Sequence, residues 1–158
     1  MIDKQTLISA LETVKDPEIP TVSIVDLGII TDVNISNEKV HVVMTPTFVG
    51  CPAIDVMRND VESVLKGLQL DFTLDVNYDI PWDSNRVTEK GKAALKAFGL
   101  APPPHYDTIL DLDILYTVPC PYCNSTDTKL ENPFGPTLCR SIHYCNTCMQ
   151  AFEQFKPV

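Results

Sequence analysis

Six cysteines carry most of the chemistry open to this 158-residue sequence, and five of them lie between Cys120 and Cys148. Cys120-Pro121-Tyr122-Cys123 and Cys145-Asn146-Thr147-Cys148 are two C-x-x-C pairs with 21 residues between the inner cysteines. Each pair can grip one metal ion from a tight knuckle, and two pairs complete a tetrahedral four-thiolate shell with no position left for water. That is a closed, structural site. Zinc is the favoured ion, although four thiolates can also hold an iron–sulfur cluster. A segment of about 40 residues buries too little apolar surface to fold alone, so the metal would supply the missing stability. Cys139 and His143 are a surplus thiol and imidazole nearby; the symmetric pair-plus-pair arrangement makes both packing or surface groups.

The sixth cysteine, Cys51, sits in Thr45-Pro46-Thr47-Phe48-Val49-Gly50-Cys51-Pro52-Ala53, between a β-rich run and an amphipathic helical run. Pro52 falls where a first helical residue is expected, since its missing N–H would have no intrahelical partner there. Cys51 is then the expected N-cap, where free N–H groups and the positive end of the helix dipole favour the thiolate. A small buried hydrophobe filling the corner is an equally good account of it. Two more chemical candidates, Asp16 and Glu18, lie in the proline-broken stretch Lys15 to Pro20. A metal or partner contact is open to them, but Asp16 beside a proline is above all a turn cap.

Elements must position these groups. Leu7, Ile8, Leu11 and Val14 predict a short amphipathic helix over 3–14, capped by Asp3 or Thr6. Alternation over Ile29–Ile35 and over 39–45, separated by Ser36-Asn37-Glu38, predicts a β-hairpin that delivers Cys51. His41 falls on the solvated face of its strand. Ile54, Met57, Val61, Val64, Leu65 and Leu68 form the core-facing stripe of the next helix, with Met57 as packing rather than a ligand. A third strand follows over 72–78, with Phe72, Leu74, Val76 and Tyr78 on one face. Trp82, the only tryptophan, is either a partner anchor or the lid on a small core. A further helix runs to Gly99 from a Thr88 cap. The stiff Ala101-Pro102-Pro103-Pro104-His105 is the expected boundary, dividing the chain into 1–104, a linker over 105–117 in which Ile109, Leu112 and Leu115 are apolar, and a module over 118–158.

The formal net charge is −9, with 9 Lys+Arg against 18 Asp+Glu in residues 1–118 and 3 against 3 in 119–158. An acidic first domain and a neutral module exclude a phosphate-backbone partner, so no nucleic acid is expected. No apolar run has the length of a signal peptide core or a membrane span, which points to a cytoplasmic protein without a membrane partner. In a reducing compartment clustered cysteines mean metal rather than cystines.

Three stretches, Lys15-Asp16-Pro17-Glu18-Ile19-Pro20, Ser23 to Ile30 with its Val-Asp-Leu-Gly core, and Thr45-Pro46-Thr47 through Gly50-Cys51-Pro52-Ala53, resemble the iron–sulfur assembly family that includes bacterial SufT and the eukaryotic cytosolic targeting factors. Val118-Pro119-Cys120-Pro121-Tyr122-Cys123, Ser125-Thr126-Asp127-Thr128, Phe134-Gly135 and Phe155-Lys156-Pro157 resemble the ribbon of the PaaD family, encoded with the phenylacetyl-CoA epoxidase system. The resemblance implies an α+β fold, a small iron–sulfur assembly-type α/β sandwich domain with a C-terminal four-cysteine zinc ribbon. It implies a non-enzymatic accessory role in iron–sulfur assembly or insertion, serving the reductase component of the epoxidase as client, with other epoxidase subunits as further partners. Cys51 is then the functional cysteine, with Asp16, Glu18, Asp26 and Thr47 as its companions in cluster or client contact, structural zinc in the ribbon and a transient iron–sulfur cluster as cargo. One thiol cannot hold a cluster alone, so a homodimer or the client must complete it. The alternative is a structural subunit of the epoxidase complex without a maturation role. A thiol enzyme would need a base beside Cys51, and none of the three histidines is obviously placed. Ser84-Asn85-Arg86-Val87, after Trp82, departs from the family pattern, in which an aromatic follows.

Overall fold

A computed structural model describes residues 2–107 and 116–158, and the apolar residues expected at 109, 112 and 115 lie outside them. The chain forms two compact units, 1–82 and 83–158.

The first unit begins with helix α1, Lys4–Leu11, whose N-cap Asp3 accepts a hydrogen bond from the Thr6 N–H at 2.8 Å. Strands β1 (Ile30–Ser36) and β2 (Lys39–Met44) form the expected antiparallel hairpin. Its turn is tighter than the sequence suggests. Ser36 pairs directly with Lys39, and Asn37 and Glu38 both take positive φ, 50° and 66°. Two such residues give the turn whose twist matches the strands. Both carry a Cβ that crowds the following carbonyl there; the short Asn side chain offsets this by local hydrogen bonding, whereas the longer Glu side chain does not. Glu38→Gly is therefore expected to stabilise the first unit by about 0.5–1 kcal/mol, the relief of Cβ strain exceeding the extra backbone entropy lost by glycine. Denaturant unfolding measures it, and a loss of stability would contradict the turn geometry.

Helix α2 (Ile54–Gly67) crosses from β2 to the parallel strand β3 (Asp71–Val76), giving the sheet order β1-β2-β3. Leu7, Leu11, Val40, Val42, Met44, Met57, Val61 and Leu65 are all buried, so α1 and α2 pack their apolar stripes on one face of the sheet. His41 lies on the other face, where it meets Thr73 at 2.7 Å and Asp75 at 3.8 Å. Strand β3 stops at Val76, so Tyr78 lies beyond it and is exposed. Trp82 closes the unit. It is 3% exposed, and its Nε1–H donates to the Leu27 carbonyl at 2.9 Å, which makes it the lid of the core rather than an exposed anchor.

The second unit contains α3 (Glu89–Phe98), β4 (Leu100–Ala101), β5 (Thr128–Asn132), β6 (Arg140–Cys145) and β7 (Gln150–Phe155). Thr88 Oγ1 caps α3 by accepting from Gly91 N–H at 3.0 Å, and Gly99 ends it at φ 96°. The sheet order is β4-β7-β6-β5, antiparallel except for the β4–β7 pair. The division of the chain thus falls after Trp82, whereas the sequence places it near residue 104. The physical reason is backbone pairing: Leu100 and Ala101 are buried and in register with Glu153 and Gln154, so the segment before the prolines completes the ribbon's sheet. The loop that departs from the family pattern is also used. Asn85 brackets the Tyr106 backbone, its Nδ2–H donating to the carbonyl at 2.6 Å and its Oδ1 accepting the N–H at 3.1 Å.

Candidate metal centre and the Cys51 loop

Cys120, Cys123, Cys145 and Cys148 converge, with all four sulfurs within 4.8 Å of one another. Among the described residues they are the only such group of potential ligands. Cys120 and Cys148 sulfurs are 3.7 Å apart, and those of Cys123 and Cys145 are 3.6 Å apart. Four thiolates at about 2.3 Å from a tetrahedral ion stand roughly 3.8 Å from each other, so the donor set fits a single four-coordinate metal.

Two local features shape the centre. Asn124 N–H returns to the Cys120 carbonyl at 2.9 Å, closing the first knuckle. The residue after each C-x-x-C pair, Asn124 and Met149, takes a left-handed φ of 60°, so the two knuckles turn the same way. The Cys148 and Thr147 N–H groups point at the Cys145 sulfur and lower its pKa to about 7. Burial, and then the neighbouring thiols, push Cys148 up to about 12. Four thiols this close cannot all ionise without a cation between them, so metal binding replaces protons here. Cys120 and Cys145 are fully buried and pack with Ala101, Val118 and Phe152, while Cys123 is exposed.

Cys139 and His143 stand outside this shell, as expected of surplus groups. Thr137 Oγ1 lies 3.1 Å from the Cys139 sulfur. His143 is fully buried, stacks on Phe152 with ring centroids 5.4 Å apart, and has Ser141 Oγ at 2.9 Å from Nε2. Burial holds its pKa below the ordinary histidine value, and the adjacent Gln154 side chain pulls the other way.

In the first unit, three segments meet at the same end of the strands, before β1 and after β2 and β3. Thr45 N–H bonds to the Ile29 carbonyl at 2.8 Å, Asn77 N–H to the Met44 carbonyl at 2.8 Å, and Trp82 to Leu27. The loops 23–28, 45–53 and 77–82 are therefore neighbours. Cys51 is half-buried in the middle one, beside exposed Val49 and Gly50. It is not the N-cap of α2. Regular helix begins at Ile54, and the Ile54 N–H reaches the Cys51 carbonyl at 3.3 Å, so residues 51–54 form a separate turn before the helix. Pro52 fixes the bend but not the first helical residue, and the dipole argument for a thiolate weakens with that offset.

The acidic candidates do not gather around Cys51 as a ligand group. Asp16 Oδ1 accepts from the N–H groups of Glu18 at 2.7 Å and Ile19 at 3.0 Å, the expected turn cap. It lines a shallow recess with Asp60, Ser63 and Val64, well along α2 from Cys51. Glu18 is exposed, and Thr47 is half-buried in the cysteine loop. Asp26 is buried in the neighbouring loop, where it accepts from Ser23 Oγ at 2.7 Å. Sequence reasoning did not single out Ser23. Its spacing of three before Asp26, mutual with the Asp26 N–H donating to Ser23 Oγ at 2.9 Å, is a turn signal visible in the chain.

Residues 113–156 match the family model described as the PaaD zinc beta ribbon domain, and residues 4–77 match that described as iron–sulfur cluster assembly protein. A protein of Escherichia coli K12, named for a place among the subunits of 1,2-phenylacetyl-CoA epoxidase, is 30% identical over 147 residues, covering 92% of this chain and 88% of its own. The chain belongs to the PaaD family. The first domain of that family has relatives that stand alone. The "Fe-S protein maturation auxiliary factor YitW" of Bacillus subtilis is 33% identical over 95 residues, covering 58% of this chain and 92% of its own. A crystal structure of a domain of unknown function, DUF59, from Bacillus anthracis superposes with a TM-score of 0.54 at 33% identity, covering 58% of this chain and 90% of that one. No helix among the described residues is long and apolar enough to cross a membrane.

Proposed function

We propose that this protein is an accessory factor, not an enzyme, for iron–sulfur cluster assembly or insertion, and that its client is the iron–sulfur reductase component of a phenylacetyl-CoA epoxidase system. One observation carries the reading: an iron–sulfur assembly domain and a PaaD-type ribbon occur in one chain, and a relative along most of that chain is named for the epoxidase. Cys51 is its working thiol. It lies in a loop whose Gly50 takes φ 84° and whose Val49 is 82% exposed, so a partner can reach the backbone and side chain around it. A single thiolate supplies one ligand of a cluster, and the client or a second copy supplies the others. Thr47 on the same loop is read as a further contact for cargo or client, and Asp26, buried on the adjoining loop and held by Ser23, as a group that would have to open to join it. Asp16 and Glu18 sit away from that loop, so their contact with the client is at its margin.

Zinc in the four-cysteine centre holds the ribbon, which serves as the docking module. The donor set supports zinc, because four thiolates closed around one position leave no site for substrate. When bound, the ion supplies folding energy. The protein works in the cytoplasm, where thiols stay reduced.

Cys51→Ser is expected to leave fold and zinc content unchanged while lowering the iron and sulfide content of the co-expressed reductase several-fold. Unchanged occupancy would remove Cys51 from the mechanism. The name of the E. coli relative favours a second reading, a structural subunit of the oxygenase. Co-purification at fixed stoichiometry with active oxygenase would support it, and a fully active complex lacking this chain would exclude it.

A further inference from the structure

The loops at the Cys51 end of the first unit hold apolar side chains outward on stiff turns. Phe48 to Cys51 is one such turn, closed by the Cys51 N–H on the Phe48 carbonyl at 3.3 Å, with Gly50 in its third place at φ 84°. Positive φ there is the mark of a type II turn, and it leaves Val49 at the tip, 82% exposed. On the adjoining loop Asn77 Oδ1 accepts from the Asp79 N–H at 2.7 Å, a local bond that fixes the bend carrying Tyr78 and Ile80, both exposed. Pro52, Val56 and Pro81 are exposed around them. Single exposed apolar residues are ordinary, but neighbouring turns that each hold one out make an interaction surface.

The charge at this end has one sign. No Lys or Arg occurs in residues 16–38, 40–57 or 67–85, which include all three loops. The cations further along α2, Arg58 and Lys66, both pair with Glu62. Acids do stand here. Asp79 is exposed between Tyr78 and Ile80, and Asp55 is exposed in the first turn of α2. Asp32 and Asp75, also exposed, flank Val43 on the two neighbouring strands, close to the same end. A second copy would bring the same acidic face, and residues 1–82 hold 5 Lys+Arg against 13 Asp+Glu, so two such faces repel.

We infer that this rim is a docking face for a client surface whose apolar centre is ringed by lysine or arginine, and not for a second copy of this chain. The inference rests on the reading of Cys51 as working thiol and of the reductase as client, and adds the chemistry that the client must present. Val49 and Ile80 supply the affinity, since stiff turns lose little freedom on binding. The acids steer the encounter and set its orientation, which places the client's ligands beside Cys51.

Calorimetric titration of the metal-loaded full chain with the purified apo-reductase tests it. Affinity is expected to fall as ionic strength rises from about 0.01 M to about 0.15 M, where the screening length drops from about 30 Å to about 8 Å. Val49→Ser and Ile80→Ser should each weaken binding about tenfold with metal content and Trp82 fluorescence unchanged, because both side chains lie outside the core. Asp79→Lys keeps the backbone N–H that closes the bend, and should weaken binding about fivefold and flatten its salt dependence. Affinity that ignores salt, variants that bind as the parent does, self-association abolished by Ile80→Ser, or no binding at all would each overturn the docking face. The iron and sulfide content of the reductase co-expressed with Cys51→Ser reports separately on the maturation reading, so either can fail alone.

Discussion

Replacing Cys145 with serine, or stripping the metal with a chelator, is expected to unfold the second unit and leave the first folded. Leu95, Leu100 and Phe155 are buried elsewhere in the second unit, but the packing around the metal centre itself is thin. Ala101, Val118, Phe152 and the buried sulfurs of Cys120 and Cys145 make up the cluster there, so the ligands are themselves much of the packing. Apparent metal-binding terms of about 10–16 kcal/mol are typical for structural four-ligand zinc, and they exceed what such a cluster supplies by burial. Cys145 is the sensitive position. Two backbone N–H groups aim at its sulfur, it is fully buried, and it ends β6 in register with Thr128 on one side and Gln150 on the other. Cys123 is exposed, so its serine variant is expected to lose affinity with less damage to packing. Amide resonances separate the units cleanly: those of 83–158 should collapse on chelation while those of 1–82 keep their dispersion. Retained dispersion throughout would mean that the metal is not the keystone of the ribbon.

The parts of this fold that were legible in the sequence are those fixed by near neighbours. Two C-x-x-C pairs announce their knuckles by spacing alone, and the structure brings all four sulfurs together. Asp3, Asp16 and Thr88 cap what they were expected to cap because a cap reaches only two or three residues. What depended on distant partners was not legible. Strand β4 is two residues long and has no pattern of its own; pairing with Glu153 and Gln154 makes it a strand and moves the division of the chain to Trp82. The tight turn at Asn37-Glu38 hides because Glu38 is not a residue that favours positive φ. At the candidate site the loop 45–53 lies between strand and helix as its composition predicts, but regular helix starts at Ile54 and not at Pro52, since a proline suits a turn as well as a first helical position. The turn cap expected of Asp16 is local and so legible, whereas the recess that it lines with Asp60, Ser63 and Val64 depends on where α2 packs.

Trp82→Ala is the second large effect, confined to the other unit. The indole is 3% exposed and spans from the end of the 77–82 loop to the Leu27 carbonyl, which ties together two of the three loops at the end of the sheet that carries Cys51. Truncating a buried tryptophan costs about 3–5 kcal/mol, and for a domain of this size that consumes much of the total stability. Trp82→Phe separates packing from the polar contact. It keeps most of the ring but strands the Leu27 carbonyl, so a loss of about 1–3 kcal/mol is expected. Because Trp82 is the only tryptophan, its fluorescence in the parent protein reports the first unit alone. Urea unfolding followed by that fluorescence should be unmoved by chelation, whereas in the variants backbone dichroism must take its place. If Trp82→Phe matched the parent in stability, the hydrogen bond to Leu27 would contribute nothing, and the 77–82 loop would be held by ring packing only. If instead both variants fell as expected, the metal-dependent ribbon and the tryptophan-closed domain would be two independently stabilised units. Damage to the Cys51 loop could then be told apart from damage to the docking module in any assay of client maturation.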